Sequence, residues 1–399
     1  MKKKILILSL SLISFLGIGQ TIDQLGYYYK NGITGLSSKD NFMILSNGEI
    51  VDNSDPTSPT LISTFSCPYG HTVIVKGDYS YFGTGMSNNL FIADISNITF
   101  PIQESFIDFT IGNGVSGMDI SENILFVSLG MNGIVCSIDI TDNSNPIMLD
   151  TLYIAGGHCY DIKIQNDYVF AAHEGGLKII DITNPSDLQL ITSIGSFYSA
   201  IDINGNQAYL GKYTGGVDVF DITDPTNPSP LFSILNSGGT ALDLKYSENL
   251  LYLATNSVGL FIYKLESNAA EEMAYFQNVG NGQSFSVCLQ DSLILLSGLV
   301  NGVAILQYDS TGTVGVQSLP SNEDIHLYPN PASSFVSIDN NGLPLNNIKI
   351  YDINGKLVKQ FETIISNGKI DLSNLKNGEY MLRFETNDKI IIKKIVKFD

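Results

Sequence analysis

Short runs in which apolar and polar residues alternate fill the chain from about residue 33 to residue 310. Each run predicts a strand with one buried face, and the Gly and Asn-Pro pairs between runs predict turns. One stretch shows four runs in succession: Asp161-Ile-Lys-Ile, Tyr168-Val-Phe-Ala-Ala, Gly176-Leu-Lys-Ile-Ile-Asp181 and Leu188-Gln-Leu-Ile-Thr-Ser-Ile194. These runs predict a unit of four antiparallel strands.

The unit recurs seven times along the chain. Its third strand ends in turn at Asp52, Asp94, Asp139, Asp181, Asp221, Lys264 and Gln307, at intervals of 40–45 residues. This period, with four strands per unit, is typical of propeller blades, and closing the ring removes exposed sheet edges. We therefore predict an all-β chain with a seven-bladed β-propeller over residues 20–317. The seventh blade would be completed either by Gln24–Tyr29 or by the Val314-Gly-Val segment.

Two of the units resemble a known repeat family. The segments Ile180-Asp-Ile-Thr-Asn-Pro185 and Phe220-Asp-Ile-Thr-Asp-Pro225 look like LVIVD repeats. The resemblance is strongest in the third to fifth units and weaker in the first two. In the last two, Lys264 and Gln307 replace the Asp. The resemblance implies a propeller of an exported or cell-surface protein, and the family has no common activity.

The first residues read as an export signal. Three Lys precede an apolar run from Ile5 to Ile18, and Gly17-Ile-Gly19 suits cleavage before Gln20. The alternative is a membrane anchor, but the run falls short of the roughly 20 residues that span a bilayer. We predict a signal peptide over residues 1–19 and no transmembrane segment.

The last 75 residues or so form a second pattern, after a predicted linker at 318–324. Short alternating strands joined by Asn-Gly turns predict a small, Ig-like β-sandwich over residues 325–399. This segment resembles the C-terminal sorting domain of type IX secretion, on the motif residues Tyr328, Pro329, Asn330, Pro331, Gly355, Lys356, Gly378 and Tyr380. The resemblance implies recognition by the secretion machinery, removal by a sortase-like surface peptidase, and a protein secreted or attached to the outer cell surface. An unrelated Ig-like binding domain is the alternative.

The charge of the chain limits the classes of molecule that can be its partners. The net charge is −19, and residues 20–320 hold 30 acidic side chains against eight Lys. Nucleic acid, whose phosphates need clustered Lys and Arg, is therefore excluded as a partner. The four Cys show no metal-binding spacing, and we expect Cys136, Cys159 and Cys288 to be buried thiols.

The recurrent Asp residues allow two interpretations each. Those that end the third strands would either bond backbone N–H groups of the following turn or hold calcium, and the absence of a DxDxDG run favours turns. Asp119, Asp161, Asp202 and Asp243 recur in the first strands, where we predict one shared blade position. Their carboxylates would either form a negatively charged rim around the central channel or bond the backbone of the neighbouring blade.

Candidate binding residues lie on the loops that enter the first strand or join the second and third strands. They are His71, His158, Tyr160, His173, Glu174, Tyr198 and Tyr213. A His/Glu metal site is conceivable there, but the spacing favours loop hydrogen bonds, and we predict no cofactor. We expect a monomeric binding or scaffold module for an extracellular peptide or polysaccharide. A hydrolase using propeller carboxylates and a structural adhesion component remain the alternatives.

Overall fold

The structure is a computed structural model that describes residues 21–67, 70–85, 89–111, 114–236, 239–277, 284–298, 302–309, 326–339, 347–352, 357–361, 368–385 and 390–398. Almost all regular structure in these residues is strand, and the only helical element is a single 3-10 turn at Gly130–Asn132. The described residues include no helix of the length and apolar character needed to cross a membrane. The chain divides into two compact units, residues 1–314 and 315–399.

Seven four-stranded antiparallel sheets make up the first unit. Blade 1 contains β2 (Leu36–Lys39), β3 (Phe42–Leu45), β4 (Glu49–Asp52) and β5 (Thr60–Thr64). Blade 2 contains β6 (Gly70–Lys76), β7 (Tyr79–Thr84), β8 (Asn89–Asp94) and β9 (Ile102–Asp108). Blade 3 contains β10 (Val115–Ser121), β11 (Ile124–Leu129), β12 (Ile134–Asp139) and β13 (Ile147–Tyr153). Blade 4 contains β14 (Cys159–Gln165), β15 (Tyr168–His173), β16 (Gly176–Asp181) and β17 (Gln189–Ile194).

The remaining three blades follow the same order. Blade 5 contains β18 (Tyr198–Asn204), β19 (Gln207–Lys212), β20 (Val217–Asp221) and β21 (Ser229–Ile234). Blade 6 contains β22 (Ala241–Ser247), β23 (Leu250–Thr255), β24 (Gly259–Glu266) and β25 (Ala269–Gln277). Blade 7 contains β26 (Val287–Gln290), β27 (Leu293–Gly298), β28 (Gly302–Asp309) and the N-terminal strand β1 (Thr21–Tyr29). The predicted seven-bladed propeller is confirmed.

The N-terminal strand closes the ring. β1 pairs antiparallel with β28 from Thr21 opposite Asp309 to Tyr29 opposite Gly302. The first of the two predicted closing segments, Gln24–Tyr29, is therefore correct, while Val314–Val316 lies outside the described residues. At the seam between blades 1 and 7, Asn53 Nδ2 donates to Gln290 Oε1 at 2.8 Å.

Each pair of neighbouring blades shares an apolar core. Seven clusters of buried side chains lie one at each interface, including the interface between blades 7 and 1, where Met43 and Val51 meet Leu295 and Val303. A blade with two apolar faces is stable only between two neighbours, so the closed ring buries every face.

The Asp residues that end the third strands organise the turns after them. Asp181 Oδ1 accepts hydrogen bonds from the backbone N–H and the hydroxyl of Thr183, and Asp221 does the same with Thr223. Bonding to these donors lowers the pKa of Asp221. Turn formation, the favoured interpretation, is confirmed.

All four Cys are free. Cys67, Cys136 and Cys159 are buried, and Cys288 is partly exposed. Full burial of Cys288 was the wrong expectation, because this side chain borders the central cavity described below. Burial raises the pKa of the Cys159 thiol to about 12, so this thiol stays protonated and unreactive at neutral pH.

The second unit is a small β-sandwich. One sheet has the order β29 (His326–Tyr328), β30 (Phe335–Asp339) and β33 (Lys369–Asp371). The other has the order β32 (Leu357–Phe361), β31 (Asn347–Asp352), β34 (Gly378–Glu385) and β35 (Ile390–Lys397). Side chains of both sheets, among them Val336, Ile350 and Leu382, share one buried core. The predicted sandwich is confirmed.

Several sorting-motif residues meet the last strand of this sandwich. Asn330 Nδ2 donates to the Lys394 carbonyl, and Asn330 Oδ1 accepts from Val396 N, both at 3.0 Å. Gly378 and Tyr380 pair with β35 from the other side. Gly355 and Lys356 lie outside the described residues, as do the predicted signal peptide 1–19 and linker 318–324.

Candidate functional site

A central cavity of about 880 Å³ runs between the blades of the propeller. The first strands of all seven blades, or the loops entering them, contribute to its wall, which includes Thr34, Thr72, Ser116, Ser199, Thr240 and Ser286. A cavity of this volume has room for a ligand of the size that protein pockets commonly bind.

Four aromatic rings form a continuous row at the mouth of this channel. His158 stacks on Tyr160 with 4.1 Å between ring centres, Tyr160 lies 5.4 Å from Phe197, and Phe197 stacks on Tyr213 at 4.2 Å. We call these residues the aromatic strip. They belong to the start of β14, to the loop entering β18 and to the loop after β19. Tyr213 at its end is 47% exposed.

Hydrogen bonds hold the His158 end of the strip in place. His158 Nε2 lies 3.0 Å from Ser116 Oγ, and the backbone N–H of His158 donates to Glu174 Oε2 at 3.2 Å. Burial, together with nearby His71, lowers the pKa of His158. The His158 imidazole is therefore neutral at pH 7. Glu174, which accepts the backbone hydrogen bond, is exposed and does not line the cavity.

The other candidate residues fall into two groups. His71 lines the cavity beside His158, Tyr160 and Tyr213. Tyr198 is fully buried and donates its hydroxyl to Asp218 Oδ2 at 3.0 Å. His173 is also fully buried, and its Nδ1 accepts from Gly175 N at 2.8 Å. Tyr198 and His173 therefore stabilise their blades and do not reach the channel.

The first-strand Asp residues occupy two positions, not one. Asp161 pairs with Ala172 and Asp243 with Ala254, directly after a β-bulge. Asp119 and Asp202 lie two residues nearer their hairpin turns, opposite Phe126 and Tyr209. The prediction of one shared position was wrong, because the bulge and the turn, not the Asp, set the register.

Two rings of equivalent positions on the first strands follow from this register. The upper ring, nearer the aromatic strip, consists of Gly35, Thr72, Gly117, Asp161, Ala200, Asp243 and Ser286. The lower ring consists of Ser37, Ile74, Asp119, Lys163, Asp202, Lys245 and Cys288. Blades 4 and 6 carry the same Asp-x-Lys pattern across the two rings.

Each of the four Asp residues bonds the backbone of the next blade. The acceptors are Asp119 Oδ2 for Ile164 N at 2.7 Å, Asp161 Oδ2 for Ile201 N at 3.3 Å, Asp202 Oδ2 for Tyr246 N at 2.7 Å, and Asp243 Oδ2 for Val287 N at 2.9 Å. The inter-blade interpretation of these carboxylates is therefore confirmed. Asp161 and Asp243 border the cavity as well.

The charged groups in the channel shift one another's pKa values. Burial, with a further contribution from Asp243, raises the pKa of Asp161 to about 6, although Lys163 acts in the opposite direction. Burial works against the Lys245 ammonium, but three neighbouring carboxylates outweigh it and raise the pKa of Lys245. Asp243, the strongest of these, lies 3.8 Å from Lys245 Nζ.

Sequence reasoning missed part of this site. Lys163 and Lys245 line the cavity, and their signal was the Asp-x-Lys pattern repeated in blades 4 and 6. Phe197 was not among the candidate binding residues. Within the described residues, no three His, Cys, Asp or Glu side chains converge as a metal site would require.

Two family profiles match the chain. The LVIVD repeat matches residues 49–66, 69–106, 156–195 and 199–235, and a secretion system C-terminal sorting domain matches residues 326–398. The repeat profile covers blade 2 but not blade 3, although the sequence pattern favoured the third unit over the first two. No curated protein matches the chain.

Solved structures show the same propeller fold. The WD40 β-propeller domain of Doa1 is 10% identical with a TM-score of 0.60, covering 73% of this chain and 99% of that one. The WD40 repeats of RRP9 are 12% identical with a TM-score of 0.58, covering 72% and 97%. At this identity the likeness concerns the fold alone.

The fold and the sorting domain together define an exported β-propeller protein. More narrowly, the chain is an LVIVD-repeat β-propeller with a C-terminal sorting domain of type IX secretion. The sorting domain directs it to the cell surface or the medium.

Proposed function

We propose that this exported propeller is a monomeric binding protein whose extracellular ligand enters the channel mouth and lies against the aromatic strip. The observation that carries the proposal is the row of four rings from His158 to Tyr213 opening into a cavity of about 880 Å³. The sorting domain then serves delivery, through the type IX machinery and a sortase-like surface peptidase.

The aromatic strip suits recognition better than a purely structural role. Rigid rings supply large contact areas at a low cost in side-chain entropy, which is why Tyr is common in binding surfaces. Tyr213 keeps nearly half of its surface exposed, whereas a ring that serves packing would be covered. A structural adhesion component would need no such cavity beneath its face. A segment of a peptide or polysaccharide chain fits this mouth.

A hydrolase is the second candidate, because one observation favours it. Asp161 and Asp243 border the same cavity, and the pKa of Asp161 is raised to about 6, as a general acid requires. However, both carboxylates bond the next blade, and Asp119 and Asp202 make the same bond without lining the cavity. A shared inter-blade role explains all four residues, so binding without catalysis is the better supported function.

Peptide and glycan arrays probed with the exported protein test the proposal. We expect ligands that bind the wild-type protein to be lost or weakened at least about tenfold in a Tyr160→Ala/Tyr213→Ala double variant. Tyr275→Ala is the matched control, because Tyr275 lies on the outer strand β25 and is 61% exposed. Array ligands that bind the double variant as well as the wild type would overturn the proposal, and so would an array with no ligand. Turnover of an array ligand that is lost in Asp161→Asn would favour the hydrolase.

A further inference from the structure

The lower ring of the channel is balanced in charge. Around blades 3 to 6 it alternates Asp119, Lys163, Asp202 and Lys245. Lys163 therefore has a carboxylate on the blade at either side, whereas Lys245 has one on blade 5, Asp202, which raises the pKa of Lys245. The four charges cancel, so this ring attracts neither cations nor anions strongly.

The upper ring is not balanced. Its only charged members are Asp161 and Asp243, and blade 5 between them adds no charge, because Ala200 is fully buried and the neighbouring cavity-lining residue is Ser199. Burial raises the pKa of the Asp161 carboxyl and the repulsion from Asp243 adds to this, although Lys163 and Lys245 act in the opposite direction. A cation placed between the two Asp residues would relieve this repulsion.

We propose that the ligand is a peptide that inserts one Lys or Arg side chain past the aromatic strip, so that its cationic group lies between Asp161 and Asp243. This inference rests on the proposed function, because it concerns the same channel mouth. The occupant is identified by its chemistry: a positive charge at the end of a flexible apolar stem.

The wall of the channel suits such a side chain along its whole length. Aromatic faces attract ammonium and guanidinium groups, so Tyr160, Phe197 and Tyr213 favour entry of a cation. Met118, Met131 and Leu242 line the cavity and offer apolar surface to the stem. Lys163 and Lys245 belong to the lower ring, with Lys245 Nζ 3.8 Å from Asp243 Oδ1, and their ammonium groups repel a cation that moves further in. They therefore set the depth at which it stops.

The overall charge of the propeller acts in the same direction. With 30 acidic side chains against eight Lys over residues 20–320, the protein attracts a basic peptide from a distance and repels an acidic one. This attraction weakens with salt, because exposed charges are screened beyond about 8 Å at physiological ionic strength.

The test uses peptides of the form acetyl-Gly-Ser-X-Ser-Gly-amide with the wild-type protein at pH 7.5. X is Lys, Arg, norleucine, citrulline or Glu. Norleucine keeps the stem of Lys without its charge, and citrulline does the same for Arg. We expect the Lys or the Arg peptide to bind roughly tenfold or more tightly than its neutral counterpart. A preference for Lys over Arg, or the reverse, identifies the cation.

Protein variants place the effect in the channel. An Asp161→Asn/Asp243→Asn variant should lose the preference for the charged peptide. Asp202→Asn should keep it, because Asp202 bonds the next blade in the same way but lies in the lower ring, away from the proposed position of the cation. Lys163→Met should tighten binding of the Lys peptide, because it removes a repulsive charge. This variant keeps all four carboxylates, so it remains informative if the double variant does not fold.

The outcomes separate this inference from the proposed function. The norleucine and Lys peptides could bind equally well, and both could lose binding in Tyr160→Ala. This result would support a binding site at the aromatic strip but overturn the proposal that its ligand is cationic. A Lys preference that persists in folded Asp161→Asn/Asp243→Asn would also overturn it. Binding of the Glu peptide in preference to the Lys peptide would contradict it directly.

Discussion

Asp202 Oδ2 in blade 5 accepts a hydrogen bond of 2.7 Å from the backbone N–H of Tyr246 in blade 6. The same bond links blades 3 to 4, 4 to 5 and 6 to 7 through Asp119, Asp161 and Asp243. In blades 3 to 6, one carboxylate per blade thus connects neighbouring first strands along the channel, in addition to the apolar cores between blades.

Removing one of these links should destabilise the ring. In Asp202→Ala, Tyr246 N loses a charged acceptor, and hydrogen bonds to charged groups contribute about 1.5–3 kcal/mol. We expect the free energy of unfolding to fall by about that amount in urea titrations followed by circular dichroism. Asp187→Ala is the control, because Asp187 is exposed and its side chain bonds only another exposed one, Gln189, among the contacts described here. Equal stability of the two variants would refute the inter-blade role.

Asp161 should give the fold a dependence on pH between about 4 and 6. Its pKa is raised to about 6 in the folded state from 3.8, so the folded chain binds its proton more tightly than the unfolded chain does. Stability from this group is therefore present at low pH and decreases as the pH rises through that window.

Replacing Asp161 by Asn removes this titration. Relative to the wild type, the free energy of unfolding of Asp161→Asn should rise by about 1–3 kcal/mol between pH 4 and pH 7. Urea titrations at intervals across this range measure the difference, with Asp187→Asn as the control that should show no such trend. A constant difference between the variant and the wild type would show that Asp161 does not titrate in this window.

The closing strand β1 should be sensitive at Gly26. This residue lies at a bulge, and a Cβ added there would come within 1.9 Å of the Pro56 carbonyl oxygen. Gly26→Ala must therefore displace the strand or the neighbouring blade, and we expect a loss of more than about 2 kcal/mol. Thr21→Ala on the same strand is exposed and should have little effect. Cooperative unfolding at the wild-type urea midpoint in Gly26→Ala would mean that β1 does not close the ring.

The sorting domain should depend on how Asn330 holds the last strand. Its amide makes two hydrogen bonds to the backbone of β35, and Asn330→Ala loses both. We expect less protein at the cell surface or in the medium and more in the periplasm. Deleting residues 325–399 should retain the propeller there entirely.

Lys359→Ala is the control for export, because its ion pair with Asp371 lies on the surface of the same domain. Immunoblots of cell fractions give the distribution. Normal export of the deletion would contradict the assignment of the sorting domain, and normal export of Asn330→Ala would limit the role of that residue to stability.

Much of the fold could be predicted from the sequence because its signals are local. Alternating runs, Asn-Pro turns and the repeat of about 40 residues predicted the blades, and the Asp181 and Asp221 turns follow from Asx chemistry within two residues. Ring closure by β1 could only be offered as one of two choices, since pairing between residues 21 and 309 is not a local property.

The site was harder to predict, because it depends on register and on loops from different blades. The position in the repeat selected Tyr160 and Tyr213, which belong to the aromatic strip. The same reasoning also selected Tyr198 and His173, whose side chains are buried inside the blades. Counting back from the hairpin turn separates Asp161 from Asp119, whereas matching Asp to Asp does not. The stacking of Phe197 between two blades has no signal in sequence spacing.

Binding at the channel mouth is the central claim, and a fluorine label tests it most directly. 4-Fluorophenylalanine at position 197 places a reporter inside the aromatic strip, and the same label at Phe106 on the outer strand β9 serves as the control. Both proteins are titrated with the acetyl-Gly-Ser-Lys-Ser-Gly-amide peptide or with the tightest ligand from the arrays. We predict that the fluorine resonance of residue 197 shifts in proportion to ligand occupancy while that of residue 106 stays unchanged. An unchanged resonance at residue 197 with saturating ligand would contradict the account.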